Sequence, residues 1–349
     1  MRHPLVSIIL VNWNGKRHLA SCLQSLHLVR YVPTEIILVD NASTDGSAEW
    51  AKAKYTHITL VKNNENLGFA GGHDAGFSEA RGAYILLLNV DTVVEPLFLG
   101  PLVDRLERDH TIGVIQPKVV LEPDRRVIDS VGSFFLGNGL LYHFGREKDE
   151  KLPEYNIPFD IFSAKGACML IRREVVSRVG LFDSDYFAYF EETDFCMRVM
   201  LAGWRICYEP SSRVYHAGGG ASSQHPAAHI VYHSSKNVIC TYIKNLSVLN
   251  IVRIIPRILA LYAIWVISSV LTGRLRTAWA VIRGIWWNAY NINATLEKRR
   301  RTQSIMRVRP DDAFLPGLMH PVRLQYYWEQ FFGNLGRYQD IPIAPQRSI

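Results

Sequence analysis

The chain has 349 residues, of which 48% are hydrophobic and 20% are charged, and this balance excludes a wholly disordered protein. Its five cysteines include no Cys-x-x-Cys pair, which excludes a disulfide scaffold and a cysteine-based zinc ribbon and favours reduced thiols in a cytoplasmic setting. The net charge of +7 permits an anionic partner but selects none.

Short apolar runs alternate with stretches of helical periodicity up to about residue 208. This alternation predicts strands at 5–11, 35–39, 57–61, 83–88 and 112–120, and helices at 18–28, 47–54, 72–80, 96–108 and 191–202. Asparagines interrupt the first run, which therefore predicts a buried strand and not a secretory signal. The alternation is typical of a mostly parallel α/β sheet. Ligands bind beyond the carboxyl ends of such strands, so Asn12, Asp40 and Asp91 are expected along one rim.

The composition changes after residue 245. Residues 251–272 are apolar except for Arg253, Pro256 and Arg257, and the uncharged part is shorter than the roughly 20 residues that span a bilayer. Tryptophans at 279, 286 and 287 and a basic run at 298–301 follow. This pattern predicts amphipathic helices that lie on the inner face of a membrane. Packing of these helices onto the core is the alternative, and Pro256 disfavours a third option, a single spanning helix.

The sequence therefore divides into residues 1–245, residues 246–310 with the amphipathic helices, and residues 311–349, a packing or interface segment. Residues 121–160 predict loops with some strand. The basic residues cluster in the apolar C-terminal part without a recognisable reader motif, so nucleic acid is not a predicted partner.

Two loops that follow strands predict nucleotide contacts. Asp40 ends the second strand, and a carboxylate there can accept a hydrogen bond from a uracil or thymine ring. Capping by Ser43 or Asp45 is the alternative for this loop, and Asp45 is the more structural of its two aspartates. Residues 66–72 are rich in glycine, which predicts backbone N–H groups that face a phosphate, although a tight turn gives the same pattern.

The fourth strand ends in Asn89-Val90-Asp91, whose alternate side chains point the same way. Asp91 is the predicted metal ligand, and an oxygen ligand of this kind suits Mg²⁺ or Mn²⁺. Helix capping by Asp91 is the alternative. His216, beside a glycine run at 218–220, predicts a further metal or phosphate contact, although a lone histidine is most often structural.

An acidic cluster lies in an aromatic stretch at 186–194. Burial by aromatic side chains raises the pKa of a carboxyl group toward the range of a general base. Helical spacing predicts that Glu191 and Asp194 share a face and that Glu192 points elsewhere. The alternative is that acidic residues favour a helix N-terminus through its dipole.

The ordered motifs resemble the family 2 glycosyltransferases of the GT-A fold, especially a rhamnosyltransferase-like branch. The resemblance covers about residues 5–245 and rests on 6–14, 39–47, 66–72, 88–92, 165–173, 182–183, 190–194 and 214–218. It implies a GT-A catalytic domain over 1–245, with Glu192 as the general base and Asp194 and Glu191 as further acids. It places nucleotide-sugar binding at Asn12, Asp40, Asn41, Asn66, Gly68, Asn89, Asp91, Gly166 and Ala167, and metal binding at Asp91 and His216.

The resemblance also implies the reaction. An inverting enzyme would move a sugar, with L-rhamnose from dTDP-rhamnose as the first expectation, or another dTDP- or UDP-sugar. The acceptor would be a hydroxyl of a lipid-linked or cell-surface glycan on the cytoplasmic face. Two departures from the family are Glu192, where an Asp is usual, and His73-Asp74, where two Asn are usual. A polyprenyl-phosphate sugar synthase and a non-catalytic nucleotide-sugar-binding protein are the alternatives.

Overall fold

A ten-stranded sheet forms the centre of the described part of the chain, which comprises residues 3–218 and 224–343 of a computed structural model. The strands, including two in a separate hairpin, are β1 (Val6–Asn12), β2 (Thr34–Asp40), β3 (Thr59–Lys62), β4 (Tyr84–Asn89), β5 (Thr92–Val94), β6 (Ile112–Leu121), β7 (Ile128–Ser130), β8 (Ser133–Phe135), β9 (Leu141–His143), β10 (Phe159–Asp160), β11 (Cys168–Arg172) and β12 (Arg205–His216). The predicted α/β class is confirmed.

Helices flank the sheet and dominate the C-terminal third. They are α1 (Lys16–His27), α2 (Ser47–Lys54), α3 (Gly68–Glu79), α4 (Leu99–Arg108), α5 (Arg173–Val179), α6 (Glu191–Leu201), α7 (Ala227–Asn245), α8 (Val248–Leu271), α9 (Leu275–Tyr290), α10 (Ile292–Arg301), α11 (Leu315–Leu318) and α12 (Leu324–Phe332). Helix α1 buries Leu19, Cys22, Leu23 and Leu26, which is the face that the helical spacing predicts.

The main strands lie in the order β10-β12-β6-β11-β4-β1-β2-β3. Strands β4, β1, β2 and β3 are parallel, while β11 runs antiparallel between β4 and β6. In this register Asn12 lies beside Asp40, and Val11 lies beside Asn89. The polar ends of these strands therefore form the predicted rim.

Strand β5 brings a distant segment to that rim. It pairs antiparallel with β12, which sets His216 opposite Thr92. Asp91 precedes Thr92, so the pairing brings Asp91 and His216 together across 125 residues of sequence. Capping by Asp91 is not observed, because α4 has no side-chain cap and begins after Phe98.

Residues 121–160 contain four short strands, and β8 and β9 form a separate hairpin. The C-terminal segment packs on this hairpin through aromatic side chains. The Tyr142 ring stacks on His320 at 4.4 Å and meets Tyr326 edge-on at 4.9 Å. Residues 311–343 therefore have a packing function; residues 344–349 lie outside the described part of the chain.

Helix α8 is longer than the sequence predicts. It has 24 residues, continues through Pro256, and is long and apolar enough to cross a membrane by length and composition. Pro256 and Val252 are both exposed, so the Val252 carbonyl group, which loses its N–H partner, is not enclosed in the core. The helix buries one side, including Ile254, Ile258 and Tyr262, and leaves most of its surface exposed.

The basic run after α9 is partly structural. Lys298 forms ion pairs with Asp183 and Asp185, and the Arg299 guanidinium donates to the carbonyl oxygens of Ile243 and Leu246. Arg300 also pairs with Glu297 at 3.0 Å, so three of the four basic residues of the run bind the protein itself.

Candidate active site

A cavity of about 540 Å³ opens beyond the carboxyl ends of β1 and β4. Most of the residues that the sequence predicts for the site lie on its wall. They are Asn41, Asn66, Gly68, Asn89, Asp91, Gly166, Ala167, Glu191, Glu192 and His216. Residues from six separate segments of the chain thus meet at one surface, while Asn12, Asp40 and Asp194 do not line it.

Asn12 and Asp40 lie beneath the cavity wall. Both are buried, and the Asn12 amide donates to Asp40 at 3.4 Å and to the hydroxyl groups of Ser43 and Ser47 at 3.0 and 2.8 Å. Asp40 also accepts from the Ser43 N–H. These contacts fix the turn between β2 and α2.

Asp45 has the structural role that the sequence predicts. Its carboxylate accepts from the backbone N–H groups of Ser47 and Lys16, both at 3.0 Å. It therefore joins the start of α2 to the start of α1.

The glycine-rich loop is a close-packed turn. The Asn41 amide donates to the Gly68 carbonyl oxygen at 2.8 Å, and the Gly68 N–H donates to Asn66 at 2.9 Å. Gly68 has φ +70°, and a Cβ there would lie 2.2 Å from the Phe187 carbonyl oxygen. That oxygen accepts from the Phe69 N–H at 2.7 Å. The prediction that this loop presents its backbone N–H groups to a phosphate is therefore wrong for the Phe69 N–H, which donates to the Phe187 carbonyl oxygen.

The centre of the site is a chain of ionic contacts from Asp91 to Lys165. His216 Nε2 lies 3.3 Å from Asp91 Oδ1, and His216 Nδ1 lies 2.7 Å from Asp129 Oδ2. Lys165 Nζ lies 2.6 Å from the same oxygen of Asp129. His216 is thus held from both ring nitrogens, with Asp91 and Lys165 on the cavity wall.

Charges within this chain shift the pKa values of its members. Burial alone would lower the pKa of His216, but hydrogen bonds to Asp129 and Asp91 raise it to about 9. Burial would raise the pKa of Asp129, yet His216 and Lys165 hold it well below its usual range. Without a metal, His216 is therefore a cation that neutralises two carboxylates at neutral pH.

Asp91 and His216 could hold a divalent metal. A carboxylate oxygen and an imidazole nitrogen face one cavity, and Asp129 on the far ring nitrogen is the partner that a metal-bound histidine commonly has. Among the described residues no group of three or more His, Cys, Asp or Glu is placed to hold a metal. The pair fits Mg²⁺ or Mn²⁺ only as a site that substrate phosphates and water complete.

Glu191 and Glu192 begin α6 and both line the cavity. In each, one carboxylate oxygen, Oε2, is buried without a hydrogen-bond partner in the described part of the chain. Burial raises the pKa of both groups; the charge of Glu192 adds to the shift of Glu191, and Lys165 opposes the shift of Glu192. Two carboxyl groups with unused oxygens thus face a cavity that also holds the Asp91–His216 pair.

Asp194 lies inside the protein and does not line the cavity. It is fully buried, and its carboxylate accepts from Arg198 Nε at 2.9 Å, Lys244 Nζ at 2.9 Å and Asn245 Nδ2 at 2.8 Å. The sequence predicts that Glu191 and Asp194 share a face and that Glu192 points elsewhere; in the structure Glu191 and Glu192 line the cavity and Asp194 does not. Asp194 lies in the first turn of α6, where no preceding turn holds its side chain. The side chain binds Arg198 on α6 and Lys244 on α7.

Aromatic side chains that the sequence analysis does not assign to the site also line the cavity. They are Trp13, Phe69, Phe187 and Tyr189, with His225 stacked on the Trp13 ring at 4.9 Å. Tyr189 and the following Phe190 have φ values of 71° and 72°, which are strained for side chains of this size. Trp13 could have been predicted for the site, because it directly follows Asn12, a residue of the rim.

The His73-Asp74 departure does not reach the cavity wall. His73 is buried beneath Phe69, to whose carbonyl oxygen it is hydrogen-bonded at 2.8 Å, and burial lowers its pKa to about 4. Asp74 accepts from the Phe182 N–H at 3.3 Å. The glycine run at 219–220 lies outside the described residues.

Comparison with known proteins gives one consistent family. The family model described as "Glycosyl transferase family 2" matches residues 7–180. The chain is 27% identical over 261 residues to N-acetylglucosaminyl-diphospho-decaprenol L-rhamnosyltransferase of Mycobacterium tuberculosis, which covers 67% of this chain and 83% of that relative. It is 26% identical over 201 residues to the low-salt glycan biosynthesis hexosyltransferase Agl10 of Haloferax volcanii, covering 55% of this chain and 61% of the relative.

Two solved structures are similar in fold. GalNAc-T7 with UDP, GalNAc and Mn²⁺ has a TM-score of 0.55 at 19% identity and covers 69% of this chain and 48% of its own. The mannosyltransferase PcManGT from Pyrobaculum calidifontis, with GDP-Man and Mn²⁺, has a TM-score of 0.51 at 18% identity and covers 87% and 88%. At these identities the likeness shows the fold, which is GT-A.

Proposed function

Because this chain belongs to glycosyl transferase family 2 and is a glycosyltransferase, we propose that it is an inverting enzyme that moves a hexose to a hydroxyl group of a lipid-linked or cell-surface glycan. L-Rhamnose from dTDP-rhamnose is the first candidate donor, supported by the mycobacterial relative. The observation that carries the proposal is a cavity that holds Glu192 together with the Asp91–His216 pair.

Glu192 is the proposed general base. Its raised pKa makes it a stronger base than an exposed glutamate, and an unused buried oxygen can accept the proton of an acceptor hydroxyl. The hydroxyl oxygen would then attack the anomeric carbon, and the bond to the nucleoside diphosphate would break with inversion. The extra methylene of Glu192, relative to the usual Asp, places the carboxylate further from the α6 backbone.

Asp91 and His216 form the proposed donor side. They would hold Mg²⁺ or Mn²⁺, which supplies positive charge to the leaving diphosphate when it is bound. Asn41 and Asn66, fixed by the Gly68 turn, and Trp13 line the part of the cavity beyond β1 and β2. We assign the nucleoside to this part; Asp40 supports its wall from below through the Ser43 N–H.

The C-terminal helices form the proposed membrane contact on the cytoplasmic face. Large apolar side chains on α8 and α9 are exposed, among them Trp265, Trp279, Trp286 and Leu271. Exposed Arg253, Arg257, Arg274, Arg276 and Arg283 accompany them. Aromatic rings with interspersed arginines suit the headgroup region of a bilayer that contains anionic lipid.

The test is sugar-nucleotide turnover by wild type and Glu192→Gln. Both proteins are incubated with a panel of dTDP- and UDP-sugars, Mn²⁺ or Mg²⁺ and a lipid-linked glycan extract, and released nucleoside diphosphate is measured. We expect release with one donor and a loss of roughly 10²- to 10⁴-fold in kcat for the variant. The exposed Glu174→Gln on α5 is the matched control.

Two results would contradict the proposal. Release of nucleoside diphosphate by Glu192→Gln at the wild-type rate would refute Glu192 as the general base. It would favour a polyprenyl-phosphate sugar synthase, because a phosphate acceptor needs no general base. Absence of release by the wild type with any donor and acceptor would remove the proposed substrate class.

A further inference from the structure

Arg146 is a cation on the cavity wall that the proposed chemistry does not use. Its side chain is exposed and lines the cavity that contains Asp91 and Glu192. Within residues 3–218 and 224–343, no group accepts a hydrogen bond from its guanidinium. Lys165 differs, because its ammonium is bound to Asp129. The guanidinium of Arg146 therefore has its donors available to a ligand.

The backbone that carries Arg146 is held by the C-terminal segment. The Gly145 N–H donates to Asp340 at 2.9 Å, and Asp340 also accepts from the hydroxyl group of Tyr155 at 2.7 Å and from that of Tyr142. Gly145 has φ +74°. This arrangement fixes the backbone of the residue before Arg146, so only the Arg146 side chain has to become ordered when a ligand binds.

The β8–β9 hairpin connects Arg146 to helix α8. In the turn of the hairpin, a Cβ on Gly139 would lie 2.6 Å from the Ile258 side chain, and the Gly139 carbonyl oxygen accepts from the Tyr242 hydroxyl group at 2.7 Å. Arg257 of α8 donates to the Gly137 carbonyl oxygen at 2.6 Å. Each strand of the hairpin has three residues, or about 10 Å. The turn of the hairpin contacts α8, and Arg146 follows the other end of the hairpin, after β9. The length of the hairpin therefore separates Arg146 from α8.

We propose that Arg146 binds the diphosphate of a lipid-linked acceptor, whose sugar then enters the cavity toward Glu192. The inference rests on the proposed function, since it places the lipid at the exposed face of α8. A guanidinium offers paired N–H donors that match two phosphate oxygens, and its charge suits a diphosphate. The β8–β9 hairpin and the Asp340 contacts hold the backbone beside this cation, so they would support the acceptor side of the cavity.

The donor is the other source of a diphosphate in this cavity. We assign the donor diphosphate to Asp91, which follows β4, and to His216, which ends β12. The two sources are separable, because a prenyl diphosphate carries no nucleoside and a nucleoside diphosphate carries no lipid.

The experiment is calorimetric titration of the full chain with farnesyl diphosphate and, separately, with dTDP and UDP in the presence of Mn²⁺. Arg146→Met keeps the apolar stem and removes the donors; Arg146→Lys keeps the charge but loses the paired geometry. Arg126→Met is the matched control, since Arg126 is an exposed arginine of the same region that pairs with Asp124 at 3.3 Å.

We expect farnesyl diphosphate affinity to fall by roughly 10- to 100-fold in Arg146→Met, and by less in Arg146→Lys, with nucleoside diphosphate affinity unchanged. Three outcomes would overturn the inference: no binding of farnesyl diphosphate by the wild type, equal affinity in Arg146→Met, or an equal loss for nucleoside diphosphates, which would move Arg146 to the donor side. Failure of the proposed function shows instead as absent sugar transfer, which this titration does not measure.

Discussion

The Nδ1 atom of His216 lies 2.7 Å from Oδ2 of Asp129, and this contact fixes which ring nitrogen of His216 faces Asp91. Asp129 belongs to β7, and β12 brings His216 to it from 87 residues away. Such a carboxylate orients a metal-binding imidazole without touching the substrate. Asp129 is therefore a positioning residue of the proposed donor site.

Asp129→Asn should weaken Mn²⁺-dependent binding of nucleoside diphosphate by roughly 10- to 100-fold. The amide keeps the size of the side chain but removes the charge that holds both His216 and Lys165. Titration of Mn²⁺ and dTDP measures the loss, and nitrogen-15 NMR of the metal-free protein should show a changed tautomer or protonation pattern at His216. Asp124→Asn, at an aspartate nearby whose side chain is half-buried, is the control. Unchanged affinity together with an unchanged His216 spectrum would refute the positioning role.

The sheet and its rim could be predicted because their signal is local. Each of these strands is a short apolar run followed by polar residues, so Asn12, Asp40 and Asp91 could be placed along one rim from the sequence. Strand β12 gives no such signal. Its run is interrupted by the polar stretch 209–213, where the register with β6 shifts.

Contacts within the site could be predicted from the sequence only for residues that are close to each other along the chain. Asp129 lies in a region without periodicity, and it reaches His216 only through the pairing of β7, β6 and β12. The side chain of Asp194 was misassigned because its partner Lys244 lies on a helix 50 residues later. The spacing of α6 indicates its i+4 partner Arg198, but nothing in it indicates where Lys244 folds.

Asp194→Asn should lower the free energy of unfolding by about 3–5 kcal/mol, since it leaves the buried cations Arg198 and Lys244 with less compensation. Glu192→Gln should leave stability unchanged or raise it, because Glu192 has a raised pKa and an unpaired oxygen. Thermal unfolding of both variants and of Glu174→Gln measures the contrast. A smaller loss in Asp194→Asn than in Glu192→Gln would reverse the assigned roles.

The acid limb of kcat/KM should lie at a higher pH than the usual pKa of an exposed glutamate. Burial raises the pKa of Glu192, the base works only when deprotonated, and activity is therefore lost as the pH falls through the raised pKa. Lys165→Met removes a charge that lowers this pKa, so the limb should move further toward neutral pH. Lys165→Arg should restore most of the shift, and Lys151→Met, at an exposed position, should leave the profile unchanged. If the acid limb of Lys165→Met lay at the same pH as that of wild type, or at a lower pH, Glu192 would not be the titrating base.

Trp279→Ser combined with Trp286→Ser should release the protein from vesicles. The two rings are 60% and 67% exposed on α9, so their loss removes apolar surface without opening the core. Each buried indole contributes enough hydrophobic free energy for roughly a tenfold change in partitioning. Cosedimentation with vesicles of phosphatidylcholine, with and without phosphatidylglycerol, measures the effect, and the exposed arginines of α8 and α9 predict stronger binding to the anionic vesicles.

Leu28→Ser with Leu97→Ser, which removes two exposed leucines of the catalytic domain, should bind like wild type. Equal sedimentation of the tryptophan variant and this control would exclude α9 as the contact, and release of the wild type by high salt alone would leave the apolar face without a role in binding.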